Sequence, residues 1–145
     1  LGEDGLGWSV RLLLTHPSLT PDGQRGWPKP VADYLAPRYG YSAERVGHAR
    51  ARCMRVLALL ERTLAESRAR GHEYLLGPRP TAADLHCAVT LAPILPMPEA
   101  ECPMPPPVRH AFETVDEDVR AAVTPALLEH RALMYARHLV LPVRF

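Results

Sequence analysis

The most constraining stretch of this 145-residue chain is Thr81-Ala82-Ala83-Asp84, which precedes the apolar run from Leu85 to Leu91. A threonine and an aspartate at this spacing form a capping box. The threonine hydroxyl accepts the backbone N–H of the aspartate, and the aspartate carboxylate accepts the N–H of the threonine. Because the helix that begins here is almost wholly apolar, we expect a buried central helix whose carboxylate is held by hydrogen bonds.

The segment before the box predicts a long helix over about 43–70. Ser42 is a suitable N-cap and Gly71 a suitable C-cap. Between them, apolar residues recur at spacings of three and four, as one buried stripe of a helix requires: Val46, Ala49, Cys53, Leu57, Leu60 and Leu64. Arginines and glutamates are interspersed on the other side, and the chain has a net charge of +1. This charge pattern predicts a solvated face and no nucleic-acid partner.

The rest of the chain also favours helices over strands. Leu6 to Leu14 has helical spacing, and a turn-rich loop with Asp22-Gly23 follows it. The helix at the capping box is predicted over about 82–92. Seven prolines then predict a connector over 93–107, followed by helices over about 108–122 and 125–139. The buried stripe expected on the last helix is Leu128, Ala132, Tyr135 and Leu139. No strand pattern occurs, so we predict one all-α domain over 1–145, a bundle of about five helices.

The order of these features resembles the all-helical C-terminal domain of the glutathione transferase superfamily. The features are a long arginine-rich helix, the segment Tyr74-Leu75-Leu76-Gly77, a short loop, and the box at Thr81 and Asp84. The resemblance extends from about Arg52 to Pro93. In that family the same box opens the buried helix that nucleates the domain. The resemblance therefore implies a glutathione transferase C-terminal-like fold for the whole chain.

The resemblance also implies a function. Glutathione transferases bind glutathione as co-substrate and hold an activating Ser, Tyr or Cys on a thioredoxin-like N-terminal domain, which we expect upstream of this chain. The helical domain supplies the wall of the electrophile pocket and part of a dimer interface, so a homodimer is expected. By position, Trp8, Arg11 and Leu12 are implied as substrate-binding residues, and no catalytic residue is expected here. The alternatives are core packing for Trp8 and Leu12, and a surface charge for Arg11.

The histidines and cysteines do not predict a metal site. His130 and His138 lie eight residues apart on one helix, which separates them by about 12 Å along its axis. His86, on the apolar helix, is expected to be a core histidine. Cys53, Cys87 and Cys102 match no zinc or redox spacing, so we expect reduced thiols in a cytoplasmic protein.

The start of the chain and its hydropathy add two expectations. Leu1 is not an initiator methionine, so we expect the chain to be a fragment or processed product of a longer protein. No apolar run approaches the eighteen or more residues of a membrane span, and no signal segment precedes the first helix. Membrane partners are therefore not expected.

Three functions remain open at this point. The first is the helical domain of a glutathione transferase-like enzyme that transforms a small electrophile. The second is a non-catalytic protein-interaction module, because helical domains of this fold also occur in translation assemblies. The third is an apolar-ligand-binding regulatory domain. The enzyme predicts an upstream thioredoxin-like domain and glutathione binding, whereas the interaction module predicts neither.

Overall fold

The computed structural model of the protein describes residues 5–21 and 25–143. The predicted turn at Asp22-Gly23 lies outside these ranges. The described residues form seven α-helices and no β-strand: α1 (Leu6–Thr15), α2 (Lys29–Arg38), α3 (Ala43–Ala69), α4 (Ala82–Thr90), α5 (Pro106–Glu113), α6 (Glu117–Ala121) and α7 (Pro125–Arg137). The all-α fold class is confirmed, with more helices than the five expected. Within the same ranges, no helix is both long and apolar enough to cross a membrane.

The longest helix, α3, contributes one continuous buried stripe to the core. The Ser42 hydroxyl oxygen accepts the backbone N–H of Arg45 at 3.2 Å, which caps the first turn. Buried side chains then follow at intervals of three, four or seven residues: Val46, Ala49, Cys53, Leu57, Leu64 and Ser67. Both α1 and α7 pack on this helix. The core therefore lies where α1, α3 and α7 meet.

Helix α4 packs against α7 but buries only one of its sides. Asp84, Cys87 and Ala88 are buried. Leu85 and Val89, which lie one turn apart on the same helix face, are 38% and 42% exposed. The prediction of a wholly buried central helix is therefore wrong for this second side. The helix also ends at Thr90, where the prediction continued to residue 92.

The single helix predicted over 108–122 is two helices, α5 and α6. Helix α5 begins at Pro106, inside the predicted connector, because proline is tolerated in a first turn whose N–H groups have no helical partners. Residues 114–116 separate the two helices, and Asp116 is extended, with φ of −48° and ψ of 133°. Arg120 of α6 donates to the carbonyl oxygen of Glu113 at 2.8 Å, which joins the two short helices across the break.

The buried stripe of α7 differs from the predicted one by about one residue. Ala132 is exposed, and Leu128 and Leu139 are only half-buried. Tyr135 is buried as predicted, and the structure also buries Leu127, His130 and Met134. This rotation of the helix places the imidazole of His130 in the core, where none of its surface is accessible.

Candidate functional site

Asp84 is a fully buried carboxylate in the first turn of α4. Its Oδ2 atom accepts hydrogen bonds from the backbone N–H and the hydroxyl of Thr81, both at 2.8 Å. Its Oδ1 atom accepts the N–H of Leu75 at 2.7 Å. The N–H of Asp84 also donates to the Thr81 carbonyl oxygen, at 3.1 Å. The carboxylate thus joins the loop before α4 to the helix.

A buried histidine lies beside this carboxylate. The Nε2 atom of His130 is 3.1 Å from Oδ1 of Asp84, although neither ring nitrogen completes a well-aligned hydrogen bond. Burial lowers the pKa of His130, and the Asp84 carboxylate offsets this effect only in part. His130 is therefore a neutral imidazole at neutral pH. The pair is not predicted from the sequence. The spacing of three and four residues from Leu127 to His130 and Met134 is nevertheless that of one buried helix face.

A cavity of about 290 Å³ opens between α1, α4 and α7. Helix α1 contributes Gly7 and Arg11, and α4 contributes Val89. Phe112 of α5 and Tyr135 of α7 complete most of the apolar wall. A concave apolar site with few polar groups is the usual form of a small-molecule binding site. The cavity is therefore the candidate ligand site of this domain.

The structure places the three predicted substrate-binding residues differently. Arg11 is exposed and lines the cavity. Leu12 is 1% exposed and belongs to the core. Trp8 is half-buried, and its indole N–H donates to the carbonyl oxygen of Tyr39 at 3.0 Å. Neither Trp8 nor Leu12 is among the residues that line the cavity, so only Arg11 lies at the candidate site.

The ring of Tyr39 connects Trp8 to Arg11. The Trp8 ring meets the Tyr39 ring edge to face, with the ring centroids 4.9 Å apart. The guanidinium carbon of Arg11 lies 5.7 Å from the centroid of the same Tyr39 ring, within the range of a cation–π contact. Arg11 also donates to the carbonyl oxygen of Gly7 at 3.0 Å. Trp8 therefore contacts Tyr39, and Tyr39 in turn contacts Arg11.

A second apolar hollow, of about 470 Å³, adjoins the cavity and shares Val89, Tyr135 and Val143 with it. Its remaining wall comes from the chain after α7, where Val140 is 81% exposed and Leu141 is 40% exposed. We call the surface formed by Leu85, Val89, Leu139, Val140 and Leu141 the α4–α7 apolar face. Large exposed apolar patches are typical of interaction sites.

The thiols and the histidine of α4 offer no obvious reactive group. Burial raises the pKa of Cys53 and of Cys87 to about 12 and also raises the pKa of Cys102. Thiolates are therefore scarce at neutral pH. His86, expected in the core, is exposed. Throughout 5–21 and 25–143, no cluster of three His, Cys, Asp or Glu residues is arranged to hold a metal ion.

Comparison with known proteins adds one finding to this geometry. The family model described as "Glutathione S-transferase, C-terminal domain" matches residues 41–130. No curated protein and no solved structure matches the chain. The matched range begins just before α3 and ends at His130, so it contains the Asp84 contacts but not α1. Because the match covers well over half of the chain, the protein belongs to the family of glutathione S-transferase C-terminal domains.

Proposed function

We propose that this chain is the helical domain of a glutathione transferase-like enzyme that acts on a small electrophile. The observation that carries the proposal, within a chain of this family, is the apolar cavity between α1, α4 and α7. Glutathione would be bound mainly by a thioredoxin-like N-terminal domain. Its thiolate would attack the electrophile, while the cavity holds the apolar body of that molecule in position.

The α4–α7 apolar face is the surface on which we place the thioredoxin-like domain. Val140 at 81% exposure and Val89 at 42% are apolar groups left in water in this chain, and their burial by a partner domain is favourable. The face shares Val89 with the cavity. A domain docked there would bring a bound thiol to the mouth of the cavity.

The proposal assigns a distinct role to each predicted site residue. Arg11 contacts the electrophile at the cavity wall. Trp8 acts through Tyr39, so it is a positioning residue. Leu12 packs in the core and has no contact with the ligand. Thr81 and Asp84 hold α4, and therefore Val89, in place. None of these residues performs the chemical step.

The test is a kinetic comparison in the full-length native protein. Arg11→Ala should raise the KM for the electrophile about three- to tenfold and leave the KM for glutathione unchanged, because Arg11 lies on the cavity. Arg38→Ala is the matched control, since Arg38 is also exposed and also lies over a tyrosine ring, that of Tyr34. An electrophile KM that does not change in Arg11→Ala would remove the assigned role.

A second candidate function is a non-catalytic interaction module of the same fold. The exposed α4–α7 apolar face favours it, because such a face suits a protein partner whether or not catalysis occurs. Glutathione titration of the native protein separates the two functions. Saturable binding supports the transferase, and its absence supports the module. If an apolar ligand binds while glutathione does not, the regulatory apolar-ligand domain is favoured.

Glutathione as co-substrate and a homodimer are parts of the same proposal. Leu59 on α3 is 48% exposed, which offers apolar surface that a second copy would cover. Light scattering of the native protein gives the oligomeric state directly. A mass equal to one chain at micromolar concentration would contradict the dimer and would leave the cavity unaffected.

A further inference from the structure

We propose that the cavity between α1, α4 and α7 selects an apolar molecule that carries a carboxylate, and that Arg11 determines this specificity. The inference rests on the proposed function, because it concerns the same cavity. It adds the charge of the ligand, which membership of the family does not supply. The ligand class is a small aromatic or branched aliphatic acid whose carboxylate meets the Arg11 guanidinium.

The charge of the cavity is the first argument. Arg11 is the charged side chain on the described lining, and no aspartate or glutamate lies beside it there. Other exposed arginines are neutralised by carboxylates: Arg50 by Asp118, Arg68 by Glu129, and Arg137 by Glu73. In the described part of the chain, no such ion pair is formed by Arg11. Its positive charge is therefore available to a ligand.

The neighbouring polar groups add no negative charge to the cavity. Tyr135 lies on the wall, and burial raises the pKa of its phenol. Cys102 lies there too, and burial raises the pKa of its thiol. Both groups are neutral at physiological pH. A carboxylate in the cavity thus meets a cation and no competing anion.

The guanidinium is held in place before any ligand arrives. One N–H donates to the Gly7 carbonyl oxygen at 3.0 Å, and the guanidinium carbon lies 5.7 Å from the centroid of the Tyr39 ring. A guanidinium has five N–H donors in a fixed planar fork, so most of them remain free for a carboxylate. The planar fork matches a carboxylate in two-point contact, and its ordering lowers the entropic cost of binding.

The size and walls of the cavity determine the size and the apolar character of the rest of the ligand. A volume of about 290 Å³ lies just below the range of drug-sized ligand sites, roughly 300–1,000 Å³. One or two fused rings fit such a space. Val89, Phe112 and Tyr135 provide apolar and aromatic contacts. An acid without an apolar body would leave this wall uncovered.

The test compares two probes of nearly equal shape and different charge, 1-naphthoate and 1-naphthalenemethanol. Each is titrated calorimetrically into the 145-residue chain at pH 7.5. We expect 1-naphthoate to bind about tenfold more tightly, as one charge-assisted contact provides, and high salt should reduce this preference. Arg11→Gln should make the two affinities equal. Arg11→Lys should retain part of the preference, because the charge remains but the planar fork is lost.

Arg38→Gln is the control, because Arg38 is exposed and lies 4.3 Å from the Tyr34 ring centroid, away from the cavity lining. It should leave the preference unchanged. Circular dichroism establishes that each variant is folded. Equal binding of the two probes to the unmodified chain would overturn the charge selectivity. It would still support the cavity as a ligand site. Retention of the preference in Arg11→Gln would also overturn the charge selectivity. No binding of either probe would remove both the selectivity and the proposed ligand site.

Discussion

The two sides of α4 have opposite character although they belong to the same nine residues. The inner side carries Asp84, Cys87 and Ala88, all fully buried, and its one charged group is surrounded by hydrogen-bond donors. The outer side carries Leu85 and Val89, which are apolar and partly exposed. The inner side thus buries a charged residue beside two apolar ones, and the outer side leaves two large apolar residues partly in water.

This difference separates the side that stabilises the fold from the side that is available for an interaction. The inner side has no group left for a partner, because the Asp84 oxygens are occupied by Thr81 and Leu75. The outer side adds little to the stability of this chain but borders both the cavity and the hollow. Substitutions on the two sides should therefore have separable effects on stability and on binding.

Removal of the Asp84 carboxylate should have the largest effect on stability. Asp84→Ala leaves the N–H groups of buried Leu75 and half-buried Thr81 without acceptors, and we expect a loss of about 3 kcal/mol or more in the free energy of unfolding. Asp84→Asn, which keeps one acceptor oxygen, should lose less. Urea unfolding at pH 7 measures both. The control is Asp33→Ala, because Asp33 forms an exposed ion pair with Lys29. If Asp84→Ala cost no more than this control, the inner side would not be the stabilising side.

Acidification should weaken the same side by a smaller amount. The pKa of His130 is lowered in the folded state, so the unfolded chain binds the proton more readily. The contribution of His130 to stability is complete above the unfolded pKa, near 6.5, and is lost as the pH falls through the lower folded pKa. For one proton the slope is at most about 1.4 kcal/mol per pH unit. Urea unfolding between pH 5 and 8 measures it.

His130→Gln should reduce this dependence on pH, because the titrating ring is gone from the core. His86→Gln is the matched control on α4, since His86 is exposed, and it should leave the slope as it is in the unmodified chain. A His130→Gln variant that kept the full slope would show that another group is responsible.

The smallest expected effects come from adding one hydroxyl to each side of α4. Cys87→Ser puts a hydroxyl into the core, and we expect it to cost about 1–2 kcal/mol. Val89→Thr is a swap of similar shape two residues away, where water reaches the side chain, so its cost should stay within about 0.5 kcal/mol. Thermal unfolding compares the two directly. Equal costs would mean that the two sides of α4 do not differ in their contribution to stability.

The helices could be predicted wherever one apolar stripe ran without interruption. The spacing from Val46 to Leu64 predicts a helix over 43–70, and the structure has one over Ala43–Ala69. The same rule failed after the connector, because Val115 and Val119 keep helical spacing across a segment that is not helical. Both are buried from separate pieces of chain. The helical spacing of these two valines therefore results from tertiary packing and not from one continuous helix.

The candidate site was only partly predictable. Arg11 was predicted from the position of the first helix in the family. Periodicity cannot say that Leu12 turns into the core while Arg11 lines a cavity with Val89 and Phe112 from distant elements. His130 was missed because an error of about one residue in the stripe of α7 placed it outside the core. Contacts between residues 46 apart in sequence, such as Asp84 and His130, require the folded backbone.

The exposed α4–α7 apolar face has a practical consequence for work with this chain in concentrated solution. Copies with a net charge of only +1 repel each other weakly at neutral pH. Uncovered valine and leucine side chains then attract one another, and colloidal stability falls as concentration rises. A buffer well below neutral pH would add charge and oppose this attraction, but it would also protonate His130. A lower pH therefore favours the solubility of the isolated chain, whereas a neutral pH favours the stability of its fold.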